Sequence, residues 1–564
     1  MDILRSDTVG TSVRSPRDTL QSFDLHFSFD VVEYTEYDAA ATLRQHRIDY
    51  IGTTTSRAPC DNPAMLDFHL TPIAGNDVFT RQTYGALRKG GRVSLFSKAY
   101  IGYAISAACS GYMFAMVESV LLRLPAQTLG LDDDGTMNGL RDVVHLQWSL
   151  VPFLGLLSDS YAPFGYRRKA YIIMGWILMS LFFAALFVLC QFSSYIFGSA
   201  VPPQAVALAC TTGATVSLVI STNTMDIRIV ELSQQEQVYS RGTLVAVYQI
   251  LRIFAQVIVH ILIQRLSILF ALHLSIFALV PIPFLVRYAY ETRLNKLTAA
   301  PSQFIETCKQ FWQSGQQKAI WQLVAFNCVL YFFLFLNYNQ VSRAIAVWNP
   351  ESASAKLLRL MLSDVAFVAA LVLWKVYAVN AHWVKSAAAV ICSWCVVYLT
   401  GNTLIAFDVV RQQWLTTLLG MLCAGVRVLL LFSAFVPTIE VAQIGSEGTI
   451  YGLLSSFQSI VKSLGAQLSN AIVKSSPGVL MFPLSEIRAN SSSIQVKVFY
   501  GILFLAAIKL LSLLSLLFCP RHKLDAQQLR LYGGYRRLPL LVFLLAYAMS
   551  YPYVTYYQYA HMCR

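Results

Sequence analysis

An all-α polytopic membrane protein, twelve transmembrane helices in two six-helix halves, is the fold this sequence predicts. Three observations predict it. Hydrophobic residues make up 56% of the 564 positions and charged ones only 13%, with a mean hydropathy of +0.53. Many apolar runs reach the about 20 residues that a helix needs to cross a hydrocarbon core of about 30 Å. These runs are too uniformly apolar for barrel strands, which would alternate, and inside a bilayer only helices or closed barrels satisfy their own backbone. Finally, a polar, basic stretch from Arg287 to Lys318 divides the runs into two sets.

Taken in order, residues 1–98 are polar and without strong periodicity, which reads as a disordered cytoplasmic tail. The first half, 99–287, holds expected helices at 99–122, 140–158, 170–192, 202–226, 242–263 and 267–287. A cytoplasmic linker spans 288–319. The second half, 320–519, holds helices at 320–341, 357–378, 386–407, 413–437, 448–473 and 498–519. Residues 520–564 are a basic segment followed by an apolar, tyrosine-rich one. Residues 538–560 carry no charge but contain Pro552 and six tyrosines, so they read equally as a thirteenth span or an interfacial segment.

Orientation follows from Lys and Arg, which collect on the cytoplasmic side. With the N-terminus inside, the inner loops and C-terminal segment hold roughly twice as many as the outer loops. Asp132–Asp134 and the sequon at Asn490 then fall outside. The same asymmetry accounts for the net charge of +13 without nucleic acid, and no basic, aromatic-rich binding module is present. Eleven cysteines are scattered, and the Cys392-x-x-Cys395 spacing falls inside an apolar run, where packing is the simpler reading than redox or zinc chemistry. The sequence holds no nucleotide-binding loop, zinc-protease or nucleophile-elbow motif and no metal-ligand cluster, so it is not read as an enzyme or primary pump, and no cofactor is expected.

The stretch "GLLSDSYAPFGYRRKAY", residues 155–171, sets charge between two apolar runs. A positive-inside turn explains its cations but not Asp159 or the flanking glycines. A conformational latch explains more: Gly155 permits close helix approach, Gly165 a tight turn, and Asp159 a charge pair with Arg167 and Arg168. These residues resemble the signature turn of the major facilitator superfamily. The wider stretch 147–176 resembles the folate–biopterin transporter family within it, through Trp148, Pro152, Gly155, Ser158, Asp159, Pro163, Gly165, Tyr166, Arg167 and Arg168. "NTMDIRIVE" at 223–231 is similar to the acidic end of that family's fourth helix. The chain departs from the family pattern at Val151, where members often carry Lys, and at Ala170, where they carry Pro. The resemblance implies alternating-access transport of a folate or pterin, or of S-adenosylmethionine. It also implies a monomer in a lipid bilayer, the plasma membrane first and an organelle membrane second. A non-transporting sensor of the same fold is the remaining alternative.

An ionisable side chain at bilayer depth costs at least about 2.5 kcal/mol and therefore faces a polar cavity or a partner. Arg252, Arg427 and Lys462 read as substrate-facing cations, since arginine holds carboxylates through paired hydrogen bonds. The competing reading makes them neutralising partners of buried acids. "RGTL" at Arg241 and "EGTI" at Glu447 open two helices alike, and aligning them sets Arg252 and Gln256 opposite Gln458 and Lys462. The two glutamines suit a pterin ring edge, and Trp148 suits its face. Asp364, Asp226 and Glu118 are the candidates for proton coupling or charge pairing, and S-adenosylmethionine, a cation, would recruit Asp364 and Glu118 instead.

Overall fold

The computed structural model describes residues 85–88, 90–117, 147–196, 203–262, 270–293, 301–336, 338–475 and 482–562. All belong to one unit, Ala74–Arg564, and all its regular elements among the described residues are helical. Glu118 lies outside the described residues.

The first half comprises α1 (Ile101–Met116), α2 (Val151–Ser160), α3 (Lys169–Ile196), α4 (Pro203–Ser233), α5 (Thr243–Leu262), α6 (Phe270–Phe277) and α7 (Pro281–Tyr288). Helix α8 (Pro301–Gly315) lies in the linker. The second half comprises α9 (Lys318–Phe335), α10 (Asn339–Trp348), α11 (Ala353–Leu373), α12 (Trp383–Ala406), α13 (Gln413–Leu422), α14 (Ala424–Val441), α15 (Glu447–Ser475), the short α16 (Leu484–Ala489) and α17 (Ser492–Leu510). Helices α18 (Lys523–Tyr532) and α19 (Arg537–Met562) follow. Eight helical stretches among the described residues are long and apolar enough to cross a membrane, Arg537–Tyr556 being one of them.

Two expected spans are broken, one at its own prolines and one beside a side chain from another helix, and a third carries a proline inside it. The run 267–287 splits into α6 and α7 because Pro281 and Pro283 supply no N–H to continue a helix. The run 320–341 breaks after Phe335, where the carbonyls of Leu334 and Leu336 accept hydrogen bonds from the buried Lys509 ammonium at 2.8 and 3.3 Å. A cation at the carbonyl end of a helix satisfies both its orphan acceptors and its dipole. Pro437 sits inside α14 and leaves the Ser433 carbonyl without its helical donor. Asn327 Nδ2 donates to that carbonyl instead, at 3.3 Å.

Among the described residues the halves meet chiefly at two helix pairs. Helix α2 packs against α15, and α5 against α11. Apolar packing is continuous across the second pair, from Val245 and Val259 to Phe367, Leu371 and Phe432. Helix α19 runs beside α15, where the buried Tyr547 meets Phe457 with ring centroids 5.8 Å apart and donates its hydroxyl to the Ser149 carbonyl. The end of the expected N-terminal tail is folded onto the bundle: Leu95 is buried, and the N–H groups of Leu87 and Arg88 donate to the Gln234 carbonyl at 2.9 and 3.1 Å.

Candidate functional site: a charged seam between the halves

Glycine geometry brings the halves together at one end. A Cβ on Gly155 of α2 would lie 2.1 Å from the Gly448 carbonyl oxygen of α15, so only glycine permits this approach. Helix α2 starts with Pro152 in its first turn, a position that needs no N–H. It stops before Pro163, and the chain then turns through Phe164 and Gly165, with φ of 55° and 81°.

That turn places Asp159 at the centre of a polar cluster. Its Oδ1 accepts from Arg168 at 2.5 Å and Arg167 at 3.1 Å. Its Oδ2 accepts from the Thr449 N–H at 2.7 Å and hydroxyl at 2.6 Å, in the other half. Arg168 is fully buried and also donates to Glu231 at 2.8 Å and Ser158 at 2.5 Å. Burial penalises the Arg168 cation, but Glu231, Asp159 and Glu447 outweigh it and raise its pKa above the ordinary range. Arg167 reaches the Gly445 carbonyl at 2.6 Å, and Arg88, from the docked tail, pairs with Glu447. Glu291 accepts from the N–H groups of Arg168 and Lys169 at 2.9 and 2.7 Å, which caps α3.

More bonds cross the seam at this end. Arg241 pairs with Glu440 at 2.6 Å, and Gln234 donates to the carbonyls of Ile439 and Ala442 at 3.3 and 3.1 Å. From α18, the buried Lys523 donates to the carbonyls of Val238 and Arg241 at 2.9 and 2.8 Å and to Asn380 at 3.1 Å. Burial pushes this ammonium down to about 8.

Deeper in the seam, Asp226 also bonds both halves. It accepts from Tyr248 at 2.6 Å and from Tyr451, across the seam, at 3.0 Å, and Arg252 stands 3.6 Å away. The Arg252 guanidinium lies 5.9 Å from the Phe114 ring, and Phe114 meets Trp148 edge-on at 6.3 Å. Eight residues further along α5, about 12 Å at the helical rise, His260 stands 3.2 Å from Asp364 of α11. Arg427 of α14 donates to the same carboxylate at 2.8 Å while its cation covers Phe367 at 4.3 Å. The Arg427 side chain is 36% exposed, against 10% for Arg252.

The structure thus gathers Arg252 with Asp226 and Trp148 in one cluster, and Arg427 with Asp364 in another. Gln256 is buried and Lys462 lies 5.1 Å from the Phe335 ring. Gln458 donates to Asn327 at 2.9 Å and Ser433 at 3.1 Å, which ties it to the α14 proline site. The partners Thr449 and Tyr451, which donate to Asp159 and Asp226, carry no functional signal in the sequence, although Thr449 belongs to the "EGTI" repeat. Tyr248 and Glu291 carried no sequence signal of their own. Among the described residues no group of three or more His, Cys, Asp or Glu has metal-binding geometry.

No protein-family model and no curated protein sequence matches the chain. Among solved structures, the human organic anion transporter MFSD10 (TETRAN) superposes with a TM-score of 0.50 at 15% identity, over 74% of this chain and 97% of that one. The proton:xylose symporter XylE, bound to 6-bromo-6-deoxy-D-glucose, matches with a TM-score of 0.46 at 13% identity, over 73% and 94%. The first likeness defines the fold of this chain as a two-halved helical bundle of the major facilitator type.

Proposed function

We propose that the chain is a secondary transporter working by alternating access, with the α2–α15 and α5–α11 pairs as the surfaces on which the halves rock. The observation that carries this reading is that buried carboxylates bond both halves at successive depths: Asp159 to Thr449, Asp226 to Tyr451 and Asp364 to His260. Each such bond can be weakened by a proton or a competing ligand, which biases a two-state equilibrium. Gly155, Asp159, Gly165, Arg167 and Arg168 serve as the latch of the state in which this end is closed.

The substrate we infer is a folate or pteridine-type anion. Arg427 is the most open of the seam's paired arginines, and a substrate carboxylate would compete with Asp364 for its guanidinium. Arg252, Trp148 and Lys462 supply further charge and ring contacts, and Asp364 and Asp226 are the acids for proton coupling. The second reading, S-adenosylmethionine, draws on the same two acids. The latch end is assigned to the cytoplasm with the N-terminus by the Lys and Arg asymmetry, and the plasma membrane by the family resemblance.

Uptake of radiolabelled folate, biopterin and S-adenosylmethionine, at two external pH values, tests this in cells lacking their own pterin carriers. Saturable folate or pterin uptake that Arg427→Ala abolishes is the expected result. Uptake of S-adenosylmethionine alone, tolerant of Arg427→Ala and lost in Asp364→Asn, moves recognition to the acids. Absence of uptake for all three sinks the substrate assignment.

A further inference from the structure

A cavity of about 310 Å³ opens inside the second half, walled by α10, α11, α12 and α13. Its lining includes none of the seam residues above. Arg359, which lines it, precedes Asp364 by five residues on α11, about 140° round the helix, so the two side chains leave on different faces.

Beside Asn402 and Thr416, its wall carries one ion pair with spare capacity. Arg359 meets Glu351 only through Nε, at 3.0 and 3.2 Å from the two carboxylate oxygens. Neither Nη group of Arg359 donates a hydrogen bond among the described residues, and the side chain is 29% exposed. One turn further, the Ser363 hydroxyl is buried without a partner. It adjoins Gly420 in the cavity wall, where an added Cβ would lie 2.7 Å from it. The wall also carries Trp394 and Tyr398, with ring centroids 5.6 Å apart. The buried Lys509 ammonium stands 4.9 and 5.5 Å from those rings.

We propose that this cavity is a second ligand site, taking an amphipathic organic anion with a carboxylate or phosphate head and a flat apolar body. The two Nη groups of Arg359 present the fork that binds planar anions bidentately, and the aromatic pair supplies a stacking surface. A cation is disfavoured because Glu351 is already engaged and the Lys509 ammonium already stands 4.9 and 5.5 Å from the two rings. The volume falls at the small end of ligand cavities, about 300–1,000 Å³, so one or two fused rings, or the head of an acidic lipid, suit it. A soluble aryl acid and a lipid head share this chemistry.

The test uses the full chain in nanodiscs of zwitterionic lipid, titrated with 2-naphthoate and with its uncharged isostere 2-naphthamide, and reads tryptophan fluorescence and the thermal midpoint. Naphthoate binds saturably and naphthamide does not. Arg359→Met weakens binding by about tenfold or more, as loss of a charge-assisted pair requires. Glu351→Gln removes the competing carboxylate and tightens binding, a gain that a misfolded variant cannot mimic. Acidic phospholipid that competes with naphthoate identifies a lipid head as the natural source, and absence of competition a soluble acid. Equal binding of the amide, affinity unchanged in both Arg359→Met and Glu351→Gln, or binding lost only in Arg427→Met overturns the site.

Discussion

Asp159 and Thr449 stand 290 residues apart in the chain, yet one carboxylate oxygen of Asp159 accepts both the N–H and the hydroxyl of Thr449. The N–H belongs to the first turn of α15, where a helix leaves donors without internal partners and carries a partial positive charge. A carboxylate from one half therefore caps a helix of the other, and two cations of its own turn, Arg167 and Arg168, bond it as well.

Thr449→Val removes the hydroxyl and leaves the N–H bond. Its expected cost is about 1.5–3 kcal/mol to the closed state, the range for a hydrogen bond to a charged group. Asp159→Asn should cost more, because it also strips Arg168 of a buried partner. Labelling of a cysteine introduced at the buried Ser446 reads this: the rate rises in the order wild type, Thr449→Val, Asp159→Asn. Equal rates in all three would remove Asp159 from the latch.

Gly155→Ala forces α2 and α15 apart, since its Cβ meets a backbone carbonyl that cannot turn aside. Overpacking of this kind costs about 1–3 kcal/mol. Gly425→Ala on α14 is the control, because its Cβ meets only Val390, at 3.9 Å, and alanine favours a helix. The thermal midpoint should fall for the first substitution and hold or rise for the second.

Lys523 makes stability depend on alkaline pH. Its folded-state pKa of about 8 lies below the ordinary 10.5, so between those values the unfolded chain holds a proton that the folded one has released. Stability then rises with pH across that window, and below it the burial penalty is present in full. The neighbouring charges Glu440, Arg241 and Glu236 modify the pKa without reversing it. Subtracting the melting curve of Lys523→Met isolates the residue: the wild-type midpoint gains on the variant from pH 8 to 10.5. A flat difference would contradict the assignment.

Gln458 and Arg427 separate structure from recognition. Gln458→Leu leaves the Asn327 carbonyl oxygen and the Ser433 hydroxyl with one bond fewer each, costing about 1–3 kcal/mol of stability, with substrate KM little changed in the surviving protein. Arg427→Ala should raise KM or abolish uptake while the fold persists. A large KM effect from Gln458→Leu would return that amide to the substrate site.

The helical membrane bundle was legible from composition and run length alone, because a bilayer forces apolar length onto every span. The turn was legible as well: Asp159, Arg167 and Arg168 within ten residues announce a charge pair whatever surrounds them. Breaks inside spans were harder to read. Pro281 marks one locally, but the break after Phe335 depends on Lys509, which arrives from another helix. The same limit applies to Gln458. Its sequence position suggested recognition of a ring edge, while the missing N–H of Pro437 and the placement of Asn327 engage it in packing.

The sequence by itself determined that the chain is a helical membrane bundle and which charged residues lie inside its apolar runs, since these depend on solvent and on neighbours along the chain. Only the tertiary structure decided which partner each buried charge meets: Thr449 for Asp159, Tyr451 for Asp226, His260 and Arg427 for Asp364. Helix packing sets those pairings across hundreds of residues, and a buried ion takes whatever donor the packing brings within reach.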